Sequence, residues 1–263
     1  MNKIDKELQD ILRDKVHGST ELLNSLLNYF IKHQDNIKLV KNDLNKIQKK
    51  FSHFPVIINF INDIEAIVSG NKQISLHTYL KNSKKKNENE FKKIFNAAKP
   101  ELLNCTTILT ISHSRTSIRI FALWKKFSSK LKVIICESRP NNEGILMAKE
   151  LSKLGIECEI IPEAMTGTVI KEVDAVILGA DQILPIGDIV NKVGSRLLAV
   201  LAKYHHIPVY VLASTSKKVE NKIIPPMDKK NNKNNRSKDG IIKLRNYEFE
   251  EVEKKLITKI FTD

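Results

Sequence analysis

DAVILGADQIL, residues 174–184, is the stretch whose reading decides the fold. Residues 174–180 are nearly all apolar, the pattern of a strand covered on both faces. Three β-branched or apolar runs precede it at 107–112 (TILTIS), 132–137 (KVIICE) and 158–161 (CEII), and one follows at 208–214 (PVYVLAS). Helical spacing fills the gaps. Thr116 to Phe127 reads as an amphipathic helix with Ile118, Phe121, Leu123 and Trp124. Ile145 to Leu154 and Gly194 to Tyr204 are further helices, and Met165 to Val173 is a short helical link. Strands alternating with helices imply crossover connections and a parallel sheet. Residues 217–245, with Pro225-Pro226 and Asn-rich stretches, read as a loop. Phe249 to Phe261 reads as a closing helix.

Upstream, the period changes. Ile4, Leu8, Ile11 and Leu12 keep helical spacing, as do Leu22 to Phe30 after Gly18-Ser19, and Leu39, Leu44 and Ile47. Ile57 to Ile67 restart the pattern after Phe54-Pro55. Leu76 to Phe95 reads as one or two helices around Lys84-Lys85-Lys86. The expected class is α/β, with a helical N-terminal domain (1–99) followed by a Rossmann-like parallel-sheet domain (100–263). A chain of 263 residues suits that division.

The net charge of +14 first points to nucleic acid. Its distribution argues otherwise. Residues 81–99 carry seven Lys against Glu88 and Glu90, and residues 217–245 carry ten Lys or Arg against Glu220, Asp228 and Asp239. The remaining chain is nearly neutral, and both runs lack stacking aromatics beyond Phe91 and Phe95. They read as solvated segments. No apolar run approaches the ~18 residues of a membrane span. Cys105, Cys136 and Cys158 make neither a disulfide framework nor a CxxC site, which fits a reducing cytoplasm. The histidines form no metal-ligand spacing, and no metal or cofactor is expected.

Ligands of parallel α/β sheets lie outside the carboxyl ends of the strands. The first strand ends in Ser112-His113-Ser114-Arg115-Thr116-Ser117, either an anion cradle or an ordinary helix cap. There is no P-loop and no GxGxxG. After the second strand, Arg139 could grip a phosphate bidentately or pair with Glu137 or Glu143. Asp181 ends the fourth strand, where partial desolvation favours general-base use and the alternative is a turn or cap. Asn191 and Lys192 precede a helix and could hold a second polar or phosphate group; the alternative for Lys192 is a solvated surface lysine.

In this order the segments ILTISHSRT (108–116), ESRPNNEG (137–144), VILGADQIL (176–184), GDIVNKVGS (187–195) and PVYVLAS (208–214) resemble a known superfamily. It holds the alpha, beta and delta subunits of eukaryotic translation initiation factor 2B, their archaeal and bacterial relatives, and isomerases of 5-methylthioribose 1-phosphate and ribose 1,5-bisphosphate. RDKVHGSTELL (13–23) is similar to the family's N-terminal Gly-containing junction. The resemblance implies a Rossmann-like sugar-phosphate-binding domain and a homodimer, or assembly with related subunits. It also implies two catalytic positions, an Asp matched by Asp181 and a Cys whose place is taken by Ser112. Gly18, Ser19, Ser114, Arg115, Arg139, Asn191 and Lys192 are the implied ligand-binding positions. The isomerases' Arg-Gly-Ala arm is here His17-Gly18-Ser19, without the Arg. Proton transfer between two sugar carbons needs groups tuned near neutral pH, and a thiol suits that better than a serine hydroxyl. The expectation is a regulatory, non-catalytic protein binding a phosphorylated sugar or nucleotide. The alternative is an aldose-ketose isomerase of a 1-phosphorylated sugar.

Overall fold

The computed structural model describes residues 5–14, 17–139, 141–223, 234–237, 240–243 and 247–263. Helices α1 (Lys6–Arg13), α2 (Ser19–His33), α3 (Ile37–Lys50), α4 (Pro55–Val68) and α5 (Leu76–Leu102) come first. Their starts follow local chemistry. Asn36 accepts the Leu39 N–H, Pro55 occupies the first turn of α4, and Ser75 accepts the Thr78 N–H. Leu26, Tyr29, Phe30, Ile57, Ile61 and Leu80 are buried together. The Tyr29 hydroxyl donates to buried Asp43 at 2.7 Å.

Leu76 to Phe95 belongs to a single helix that continues through Pro100 to Leu102. The spacing of Phe91, Ile94, Phe95, Ala98 and Leu102 stays helical across the proline. Its first turns pack Leu76 and Leu80 into the helical core, and its last turns pack Ile94, Phe95, Ala98 and Leu102 beneath the sheet. One helix thus serves both cores. Lys81, Lys84, Lys85, Lys86, Lys92 and Lys93 lie exposed along it.

The α/β part runs β1 (Thr107–Ile111), α6 (Arg115–Lys125), β2 (Lys132–Cys136), α7 (Glu143–Lys153), β3 (Glu157–Ile161), α8 (Thr166–Val169), β4 (Ala175–Leu178), β5 (Gln182–Ile183), β6 (Ile189–Lys192), α9 (Ser195–Tyr204) and β7 (Val209–Leu212). A hairpin of β8 (Asn234–Ser237) and β9 (Gly240–Lys243) follows, then β10 (Phe249–Val252) and β11 (Lys259–Phe261). The main sheet is parallel, in the order β11-β7-β4-β1-β2-β3. Alternate side chains serve opposite faces. Ile108, Ala175 and Ile177 meet α5, α6 and α7, whereas Leu109, Val176 and Leu178 meet α8 and α9. The chain moves outward from β1 through β2 to β3 and then returns to place β4 on the other side of β1. That reversal is the crevice in which such sheets bind ligands.

One expectation is corrected. Phe249 to Phe261 is no helix: β10 pairs antiparallel with β6, and β11 adds a parallel edge to β7. Its Glu- and Lys-rich composition favours helix, but pairing with two open strand edges and burial of Val252 and Phe261 outweigh propensity. Asn191 and Lys192 precede α9 as expected, and they do so as the end of β6. About half of the segment 217–245, read as a loop, lies outside the described residues; of the rest, 234–237 and 240–243 pair as the β8–β9 hairpin. No helix among the described residues is long and apolar enough to cross a membrane.

Gly144 fixes the seat of α7 on β2. A Cβ there would lie 1.9 Å from the Cys136 carbonyl oxygen. Gly144→Ala is expected to destabilise the protein by at least about 2 kcal/mol, measured by urea unfolding.

Candidate functional site

A cavity of about 510 Å³ opens between the helical part and the carboxyl edge of β1 and β4. Ser112, Ser114 and Arg115 line it from β1, Asp181 from β4, Asn191 and Lys192 from β6, and Gly18 and Ser19 from the start of α2. Six segments distant in sequence therefore meet where the strand order reverses when Glu143 and Lys217 are included.

Each group is held by a particular local device. Ser112 adopts a left-handed backbone with φ 67°, uncommon for a residue with a side chain. Its N–H donates to Ser138 Oγ at 2.7 Å, and Ser138 is itself left-handed, with its hydroxyl on the Cys136 carbonyl. The turn at 112 swings the serine hydroxyl toward α7, where it donates to Glu143 Oε2 at 2.9 Å. Ser114 caps α6 by accepting the Ser117 N–H. Gly179 allows β4 to approach it, since a Cβ would sit 3.1 Å from Ser114 Oγ.

Asp181 is mostly buried and is not a helix cap. Its Oδ1 accepts the Ser19 hydroxyl at 2.7 Å and lies 3.9 Å from Lys217 Nζ. Lys217 follows β7 and is buried. Burial pushes its ammonium below the ordinary lysine range, while Asp181 and Glu90 partly restore it. Lys192 Nζ pairs with Glu143 Oε1 at 2.9 Å. Asn191 donates to Ser195 Oγ at 2.9 Å. Arg115 stands between Glu21 Oε2 at 3.0 Å and Glu150 Oε2 at 3.1 Å, and His113 Nε2 meets the other Glu150 oxygen. The charge of Arg115 therefore joins α2, α6 and α7. The start of α2 has no side-chain cap, so its first N–H groups and positive dipole end face this region.

Arg139 does not join the group. It is exposed in the turn after β2 and does not line the cavity. Glu143, Lys217, His53 and Phe249 are among the lining residues that reading the sequence missed. Glu143 had been weighed only as a partner for Arg139, and Lys217 sat in a lysine-rich stretch that reads as solvated. Its place directly after a buried parallel strand was the available signal. His53, whose imidazole is held below the ordinary range chiefly by burial, lies against Phe54 and Phe249 at the opposite wall. Burial pushes the Cys105 and Cys136 thiols up to about 11 and about 12, so neither offers a thiolate. Away from the cavity, Asp5, Glu7 and His33 cluster, with Lys32 Nζ 2.8 Å from Glu7 supplying a counter-charge.

The model of the Initiation factor 2 subunit family matches residues 6–263. Over 110 residues the chain is 42% identical to an eIF-2B subunit 2-like protein of Pyrococcus horikoshii, covering 42% of this chain and 40% of that one. Over 172 residues it is 33% identical to methylthioribose-1-phosphate isomerase 1 of Pseudothermotoga lettingae, covering 61% and 49%. The chain spans less than half the length of these curated relatives. The crystal structure of the Pyrococcus horikoshii OT3 translation initiation factor eIF-2B superposes with a TM-score of 0.80 at 23% identity, over 100% of this chain and 95% of that one. The 5-methylthioribose 1-phosphate isomerase of the same organism gives 0.78 at 20% identity, over 99% and 83%. These two likenesses concern the fold. The family match runs from α1 to the last strand, and on that ground the chain belongs to the Initiation factor 2 subunit family.

Proposed function

We propose that the chain is an initiation factor 2B subunit-like protein that binds a phosphorylated sugar or nucleotide, in a regulatory and non-catalytic role in the cytoplasm. The observation that carries this reading is the convergence of the uncapped start of α2, the Ser112–Arg115 turn and Lys217 on one cavity. Helix starts and a partly desolvated ammonium are suited to a phosphate. Asp181, Glu143 and Asn191 offer acceptors for sugar hydroxyls. The absence of catalysis is supported by Ser112. It takes the place where the resemblance puts a thiol, and its hydroxyl is committed to Glu143. Assembly as a homodimer or with related subunits is part of the proposal. Leu197, Val200 and Tyr204 give α9 an exposed apolar stripe suited to it.

A second reading, an isomerase of a 1-phosphorylated aldose, is favoured by one observation: Asp181 lines the cavity beside hydroxyl and ammonium groups, in position to move a proton. Incubation with 5-methylthioribose 1-phosphate or ribose 1,5-bisphosphate, followed by NMR, decides between the two. The binding reading expects no ketose. Ketose formation that Asp181→Asn abolishes would establish the second.

Thermal-shift titration with ribose 5-phosphate, fructose 6-phosphate and AMP tests the first reading. At least one is expected to stabilise the protein, and no stabilisation by any of them counts against it. Lys217 adds a signed test. The unfolded chain holds the Lys217 proton to about pH 10.4 and the folded chain releases it earlier. Its contribution to stability therefore rises with pH between the two values. Phosphate affinity should fall over the same interval. Lys217→Met is expected to weaken phosphate binding about tenfold while raising the ligand-free Tm by about 2–4 °C. Loss of both affinity and stability would mean that the ammonium is structural.

A further inference from the structure

Glu143 is engaged through both carboxylate oxygens. It opens α7 at the carboxyl end of β2 and is only 3% exposed. Its Oε1 meets Lys192 Nζ at 2.9 Å and Asn141 Nδ2 at 3.2 Å, and its Oε2 accepts the Ser112 hydroxyl at 2.9 Å. Lys192 is buried as well, with its ammonium 5.1 Å from the centre of the Phe249 ring. The cation that sequence matching assigns to a phosphate thus already carries a carboxylate. An anionic group reaching Lys192 must either approach Glu143 at like charge or displace it and leave a buried carboxylate without its partner. A hydroxyl faces neither penalty, because it can donate to Glu143. The opposite end differs. There α2 has no side-chain cap, and the resident carboxylate, Asp181, takes its short hydrogen bond from the neutral Ser19 hydroxyl and holds Lys217 only at 3.9 Å, so a phosphate that draws Lys217 away breaks no close ion pair.

We propose that Glu143 is a resident anion that sets the charge of the ligand. The cavity takes one phosphate, at the α2 and Lys217 end, and a neutral hydroxyl-bearing group at the Ser112–Glu143–Lys192 end. Singly phosphorylated sugars or nucleosides are then bound in preference to doubly phosphorylated ones. This rests on reading the cavity as a phosphate site and adds a specificity-determining residue that the motifs did not single out.

Isothermal titration of the full chain with ribose 1-phosphate, ribose 5-phosphate and ribose 1,5-bisphosphate is the test. Wild type is expected to bind the better monophosphate at least about fivefold more tightly than the bisphosphate. Glu143→Gln keeps an acceptor for Ser112 and removes the charge, and should shift that ratio about tenfold toward the bisphosphate. Equal or tighter binding of the bisphosphate by wild type overturns the proposal, as does an unchanged ratio in a folded Glu143→Gln protein. If that variant does not fold, the wild-type ratio alone decides. Monophosphates bound without the expected preference sink this inference and leave the phosphate site standing; no binding of any of the three sinks both.

Discussion

The buried ion pair between Glu143 and Lys192 ties together the edge on which the cavity is built. One partner opens α7, beyond the outward-running strands, and the other ends β6, beyond the return to β4. The Ser112 hydroxyl on the same carboxylate adds the end of β1. Three segments are thereby locked at the point where the strand order reverses. Removing either charge would leave its partner buried and uncompensated, a larger loss than the net worth of the pair. The backbone around it shows the same constraint. Ser112, Ser138 and Asn142 are all left-handed without being glycine, and such conformations persist where surrounding bonds over-determine them. The bonds are on hand: Ser138 Oγ accepts from Ser112, and Glu163 Oε1 accepts from Ser138.

From that edge the rest of the cavity follows by pairing. β6 carries Lys192 and also receives β10, and β10 brings Phe249 to the cavity wall. Glu250 on the same strand accepts the N–H groups of Gly194 and Arg196, which fixes the start of α9. On the far side, the Ser19–Asp181 hydrogen bond brings the start of α2 down onto the sheet across 162 residues of sequence. The helical part is therefore more than a neighbour of the α/β part, because it supplies one wall of the site and one hydrogen-bond donor to its central carboxylate.

What could be read from the sequence depended on whether a residue's neighbours in the chain decide its environment. β1, β2, β4 and β7 were legible because strands covered on both faces are apolar throughout. Ser112 and Asp181 could be placed together because each follows the carboxyl end of a strand of that sheet, whereas Asn191 and Lys192 reach the cavity from β6, which pairs with β5 and β10 in a second sheet. The last strands were not legible. Phe249 to Phe261 has helical spacing and helix-favouring residues, and only the open edges of β6 and β7 turn it into strands. Arg139 stands apart from the cavity set for the opposite reason. Its motif is local, and one turn of backbone leaves it in solvent. Lys217 has the composition of a surface residue, and nothing within a few positions of it shows that Asp181 and Glu90 face it from two other elements.

The same distinction governs the meaning of the net charge of +14. Among the described residues, much of it stands on the exposed face of α5, where lysines are solvated and screened within about 8–10 Å. The cavity follows another rule. Lys192 is matched by Glu143, Arg115 by Glu21 and Glu150, and Lys217 by Asp181 at a looser distance. A site assembled from matched pairs does not attract anions by bulk charge. As proposed above, it would discriminate by which pair can admit a further group without leaving a charge buried alone. Among these three pairings the widest separation is at Lys217, next to a helix start with no side-chain cap. On the proposed reading, recognition is set by how the buried charges of the cavity are partnered, and the exposed lysines of α5 bear little on it.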